Sequence, residues 1–279
     1  MQLPFGAGEG TNSPHHKMNF RFALKYLKYW LTSRHKRGHG IHSPFVFDLI
    51  TNVFNNKTAV NLTADIETTR NKLLADTDKI ETTDYGAGSK VMKQRSRKIS
   101  KIAKVSGTNT KKGRLLFNLV TYFNCKNIVE LGTSLGLGTM YLAKANPEAA
   151  VRTIEGCPES AGIASQNFKE SGMSNIRQYI GTFGDFLPGI FSSVSPVDLV
   201  FFDGNHRREP VLNYFNQCLQ HVHNDSLLIF DDIHWSEEME QAWKTIRNHP
   251  AVTLTIDVFF CGLVFFKKEL AGENYVIRY

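Results

Sequence analysis

The chain has 279 residues, 42% hydrophobic and 21% charged, a balance that excludes disorder, collagen-like repeats and low-complexity fibre. That length suits one large domain, or a catalytic domain with an added segment. Charge is divided unevenly: residues 1–120 hold 21 Lys and Arg against 8 Asp and Glu, and residues 121–279 hold 12 against 18.

Such a basic front can meet nucleic acid, anionic lipid or an acidic substrate, or be no more than a solvated face. No run approaches the roughly 18–20 apolar residues needed to cross a bilayer. The N-terminus has no apolar signal core with a small-residue cleavage site, so the expected location is cytoplasmic. Cys125, Cys157, Cys218 and Cys261 lie far apart with no CxxC pair, which argues for buried free thiols rather than a zinc site or a disulfide framework.

In chain order, residues 1–17 mix Gly, Pro, Ser and His without periodicity and read as a disordered leader. Residues 18–31 follow a helical pattern. Phe20, Ala23, Leu24, Leu27 and Leu31 share one face, which would pack on its own domain, on a partner subunit as a homodimer contact, or on a membrane surface. His35, His39 and His42 lie in a basic, glycine-containing loop that lacks the ligand pairing of a zinc site. Ser43-Pro44 signals a helix start, and residues 56–80 read as weakly helical. The glycines of DYGAGS, 84–89, invite a phosphate-loop reading, but the preceding KIETT is too polar for the buried strand that such a turn must leave. The basic stretch 90–104 reads as a loop or helix over a cleft, and Lys111-Lys112-Gly113 leads into an apolar helix. Residues 18–110 thus form a basic, mainly helical extension, and 111–279 a separate domain.

From 127 onward, strands at 127–131, 150–155, 176–180, 197–202 and 226–231 alternate with helices at about 138–146, 159–171, 209–222 and 236–248. Alternation of near-continuous apolar strands with helices predicts an α/β, Rossmann-like, mostly parallel sheet covered on both faces. VTLTIDVFF and GLVFFKK add a C-terminal antiparallel hairpin, seven strands in all, and NYVIRY offers a further edge strand.

Ligands in such sheets bind beyond the carboxyl ends of the strands. The first such end is VELGTSLGLGT, 129–139, where Gly132, Gly136 and Gly138 allow a tight turn with close backbone approach. Its GxxxGxG spacing is not the GxGxxG of hydride-transferring folds, and no GK[ST] P-loop is present. Glu155 ends the next strand and can accept hydrogen bonds from two vicinal ribose hydroxyls. GTFGD at 181–185, DGNH at 203–206 and Asp231-Asp232 end the remaining three.

Together these runs make residues 111–267 resemble a class I S-adenosylmethionine-dependent methyltransferase, most similar to the catechol and caffeoyl-CoA type small-molecule O-methyltransferases. The resemblance implies that Glu130, Gly132, Thr133, Ser134, Gly136 and Gly138 bind the cofactor's methionine side, Glu155 its ribose, and Gly184 and Asp185 its adenine. KKGRLLFNL, 111–119, is similar to that family's helix entry. The family's metal-dependent members imply Mg²⁺ held by Asp203, Asp231 and Asp232, with Asp standing at the third position where the family has Asn. Asp203 can equally serve the cofactor or the acceptor. His206 stands where catechol-type enzymes carry a lysine base, and an imidazole suits proton removal near neutrality. His234 is a second candidate imidazole. The implied activity is O-methylation of a small-molecule acceptor. The alternatives are RNA or protein methylation guided by the basic front, or a non-catalytic binding module of the same fold.

Overall fold

In the computed structural model, residues 15–34, 38, 40–84, 93–194, 196–270 and 272–279 are described. The glycines of 84–89, residues 35–37 and 39 of the His35–His42 loop and the leader up to residue 14 lie outside them.

The N-terminal part is α1 (His15–Thr32), α2 (Pro44–Leu49) running into a π-turn (Ile50–Phe54), α3 (Ala59–Leu62) and α4 (Ala64–Ala75). The sequence expects α2 to start at Ser43, and there Ser43 Oγ accepts the Val46 amide while Pro44 occupies the first turn. Next come strands β1 (Lys79–Asp84) and β2 (Lys93–Lys98), then α5 (Ile99–Val105) and α6 (Thr110–Phe123). The β1–β2 pair is not legible in the sequence: the helical reading of 56–80 takes in the first two residues of β1, and the basic stretch 90–104 reads as a loop or helix. The two pair antiparallel, Lys79 opposite Lys98, and β1 docks on the later helix Pro158–Glu170 through the Glu81 amide, which donates to Glu159 Oε2 at 2.8 Å. Polar sequence suits an exposed two-stranded ribbon whose partner lies elsewhere in the chain.

The main sheet follows: β3 (Asn127–Leu131), α7 (Leu137–Ala145), β4 (Ala150–Glu155), α8 (Pro158–Glu170), β5 (Ile176–Ile180), α9 (Phe183–Val194), β6 (Val197–Phe202), α10 (Arg208–Cys218), β7 (Val222–Asp231), α11 (Glu237–Arg247), β8 (Leu254–Asp257), β9 (Cys261–Phe265) and β10 (Glu273–Val276). Its order is β10-β8-β9-β7-β6-β3-β4-β5, with β9 antiparallel to both neighbours. The five strands read from the sequence take their expected places, and the sheet has eight strands because the C-terminal segment pairs parallel with β8.

Helix α9 went unread because Gly184, Pro188 and Gly189 break helix propensity. It forms because Leu187, Ile190, Phe191 and Val194 present one apolar face to the sheet.

Successive residues of each central strand feed opposite cores. Ile128, Leu199, Phe201, Leu227 and Ile229 pack with α6 and α7 and with the N-terminal Val46, Leu49, Ile66 and Ile102. Val129, Leu131, Val200, Phe202, Leu228 and Phe230 pack with α9, α10 and α11. The N-terminal helices therefore share a core with the sheet. Helix α1 lies on the C-terminal end of the chain, with Phe22, Tyr26 and Tyr29 around the Phe259 ring at 4.9–5.2 Å. Of these Tyr29 is buried, while Tyr26 is partly exposed and Leu24, Leu27 and Leu31 are exposed. Among the described residues no helix is long and apolar enough to cross a membrane.

Candidate active site

Strands β3 to β7 are parallel, so Leu131, Glu155, Ile180, Phe202 and Asp231 end on one edge. Beyond β3 the chain turns through Gly132 (φ +106°), Ser134 (φ +50°) and Gly136 (φ +87°) into α7. Gly132 is obligatory, because a Cβ there would lie 2.3 Å from the Asp203 carbonyl oxygen. A Cβ on Gly138 would meet Glu130 Oε1 and Thr108 Oγ1, each at 2.9 Å. These clearances keep open a crevice lined by Glu130, Gly132, Ser134, Gly138, Asp203 and the loop 106–108.

Glu130 is fully buried and accepts hydrogen bonds from Thr139 and Thr153. Burial outweighs those bonds and pushes its carboxyl up to about 7. Glu155 accepts the Ser134 amide at 2.7 Å and the Cys157 amide at 2.9 Å, so the second carboxylate is tied to the glycine turn itself. Burial raises its pKa too, against the opposing backbone donors. Thr133 turns inward and shares a hydrogen bond with Thr153. Gly184 and Asp185 begin α9. There Asp185 Oδ2 accepts from the Thr182 hydroxyl at 2.7 Å and the Asp185 amide donates back to Thr182 Oγ1 at 3.3 Å, a reciprocal helix start.

The loop 106–108 was missed by sequence reasoning. It is held from the N-terminal segment: Arg70, buried in α4, donates to the Thr108 carbonyl, and Glu67 accepts from Thr110, Tyr141 and Arg70. No local signal links Arg70 to a loop 38 residues away.

Asp203, Asp231, Asp232 and His206 come together at the ends of β6 and β7, as the sequence expects, but with Lys112 among them. Lys112 is buried and its ammonium pairs with Asp231. Despite the cost of burial, Asp231, Asp203 and Asp232 hold its pKa above the ordinary lysine value. Burial, then Asp231, drives Asp203 well above the carboxylate range, and the same two causes push Asp232 up to about 7. Burial lowers the His206 pKa, leaving a neutral imidazole at physiological pH. Asp231 Oδ1 and Asn205 Oδ1 are buried acceptors facing no donor. His234 is taken up elsewhere, by Asp257 at 2.8 Å and Glu240 at 3.2 Å.

The residues of the first cluster suit S-adenosylmethionine: a glycine turn with no Cβ to block it, the Glu155 carboxylate beside that turn, and the buried Glu130 carboxylate that would hold a cation. A divalent metal does not fit the second. A Mg²⁺ needs an octahedral oxygen shell, whereas the Asp231 carboxylate is held by an ammonium. Among the described residues no His, Cys, Asp or Glu set has metal-holding geometry.

This sheet order, with its reversed β9 and the glycine turn facing Glu155, is a Rossmann-like α/β arrangement. Residues 129–233 match a family of methyltransferase domains. A catechol O-methyltransferase of Niastella koreensis is 30% identical over 124 residues, 43% of this chain and 55% of that protein. The chain spans about half the length of the curated relatives it matches. Among solved structures, a Podospora anserina methyltransferase bound to S-adenosylhomocysteine (SAH) aligns over 95% of this chain and 100% of its own, with 13% identity and a TM-score of 0.56. An SAH-bound Bacillus cereus O-methyltransferase aligns over 79% of this chain and 97% of its own, with 19% identity and a TM-score of 0.51. The structural likenesses bear on fold.

Proposed function

We propose that this protein is an S-adenosylmethionine-dependent methyltransferase acting on a hydroxyl of a small-molecule acceptor. The observation that carries the reading is the pairing of Glu155 with the Ser134 amide across the opening of the glycine turn. Similarity to a catechol O-methyltransferase supports an oxygen acceptor.

When bound, S-adenosylmethionine supplies an electrophilic methyl on a sulfonium. Glu155 would hold the ribose hydroxyls with its remaining lone pairs, and the buried Glu130 carboxylate would favour the cationic end of the group. The Gly132–Gly138 backbone would hold the group against the end of the sheet. His206, whose burial favours the neutral imidazole, would take the proton of the acceptor hydroxyl. His206 would then carry that proton as imidazolium, leaving a methylated acceptor oxygen. The unpartnered Asp231 and Asn205 oxygens would receive further donors of the acceptor, which favours a polyhydroxylated molecule.

Two finer parts belong to the same proposal. The exposed Leu24, Leu27 and Leu31 stripe of α1 would be a homodimer contact. A cytoplasmic setting agrees with four buried free cysteines. Calorimetry with S-adenosylmethionine tests the central claim: saturable binding that Glu155→Ala weakens, with turnover on a panel of catechols and other diols, is expected. No binding at millimolar ligand removes it.

A further inference from the structure

We propose that Lys112 is the built-in cation of the acceptor site, standing among the aspartates where the sequence resemblance implies a divalent metal, so that methyl transfer here runs without one. The inference rests on the methyltransferase reading for the word transfer, but the identity of the cation is a property of the cluster alone.

The placement of Lys112 is rigid. It is the third residue of α6, where its amide donates to the capping Asn109 Oδ1 at 2.9 Å. Gly113 beside it lies so close to α7 that a Cβ would sit 2.1 Å from the Tyr141 ring. The helix start can therefore neither slide nor turn, and the side chain is delivered to the end of β7. There the lysine side chain is 12% exposed and the Asp231 carboxylate 2% exposed, an ion pair largely shielded from water. Removing either partner would leave an uncompensated buried charge. A metal bound to Asp231 would have to displace the ammonium or sit against it, and two cations a few ångströms apart in a shielded site repel strongly. An ammonium also carries three donors. One is committed to Asp231, and the others remain for Asp203, Asp232 or an acceptor oxygen gaining negative charge. Lysine therefore does the orienting and charge-balancing that a metal would do, as a positioning residue acting through Asp231.

The test uses the full chain and Mn²⁺ as probe, read by electron paramagnetic resonance with and without S-adenosylmethionine, whose own binding is followed in the same samples. The wild type is expected to leave Mn²⁺ free. Lys112→Gln, which releases the carboxylates, is expected to bind Mn²⁺ at least about tenfold more tightly. Lys112→Arg, which keeps the charge, should still exclude Mn²⁺. On an acceptor turned over by the wild type, Lys112→Gln should lose kcat while cofactor affinity holds, Lys112→Arg should recover part of it, and EDTA should change nothing. Stoichiometric Mn²⁺ on the wild type, or EDTA-sensitive turnover restored by Mg²⁺, overturns the proposal. So does a folded Lys112→Gln that gains no Mn²⁺ affinity. Should Lys112→Gln fail to fold, the wild-type and Lys112→Arg measurements decide. Absence of S-adenosylmethionine binding would end the methyltransferase reading, while the Mn²⁺ result would still judge the cation.

Discussion

The carboxylate of Glu155 lies 2.7 Å from the Ser134 amide, joining the end of β4 to the turn that leaves β3. One side chain thereby shapes the turn and presents oxygens to whatever enters it. Removing it should cost twice, in ligand contacts and in loop order. Hydrogen bonds to a charged group are worth about 1.5–3 kcal/mol, so Glu155→Ala should weaken S-adenosylmethionine by roughly 10- to 100-fold in calorimetry. Glu155→Gln should fall between.

Gly132→Ala tests the turn itself. The positive φ costs about 1–2 kcal/mol for an L-residue, and the Cβ would meet the Asp203 carbonyl at 2.3 Å. A further loss of about 1–3 kcal/mol follows from that overlap. Urea denaturation should show the sum as a lower midpoint with an unchanged slope.

Glu130 places a pH dependence in the fold. Its folded pKa, about 7, lies above the unfolded value, so the folded state holds the extra proton between about pH 4.5 and 7. Stability from this group is therefore complete below that window and falls as pH rises through it, by about 3 kcal/mol at the upper end. Glu130→Gln should melt higher than wild type at pH 8, and the gap should close near pH 4.5. The same variant should bind S-adenosylmethionine more weakly, since a buried charge that costs stability is retained for a cationic ligand.

His206→Asn should lower kcat by about 10²–10⁴ while leaving cofactor affinity nearly unchanged, as loss of a general base does. Because burial lowers the His206 pKa, the acidic limb of the wild-type kcat profile should lie below the ordinary imidazole value. Steady-state kinetics from pH 5 to 9 with the preferred acceptor would read both (roughly, the range over which imidazole titrates).

Leu27→Asp probes the exposed stripe of α1. A surface change of this kind should alter stability by less than about 0.5 kcal/mol. Light scattering should report a smaller species if the stripe joins two copies, and no change if it does not.

The sequence by itself determined the alternating parallel sheet, because buried strands and amphipathic helices leave different apolar periods. It also determined the strand ends where Glu130, Glu155, Asp203 and Asp231 stand, because a carboxylate or glycine closing an apolar strand is a local pattern. What only the tertiary structure decided was which distant groups meet those ends. The β1–β2 ribbon depends on a partner strand, and α9 on a sheet face that outweighs its glycines and proline. Arg70 reaches the crevice loop from α4, and Lys112 reaches Asp231 across 119 residues. The charge of a buried site is the sum over everything that packs against it, so three aspartates in sequence suggested a metal, and only the folded chain shows an ammonium paired with one of them.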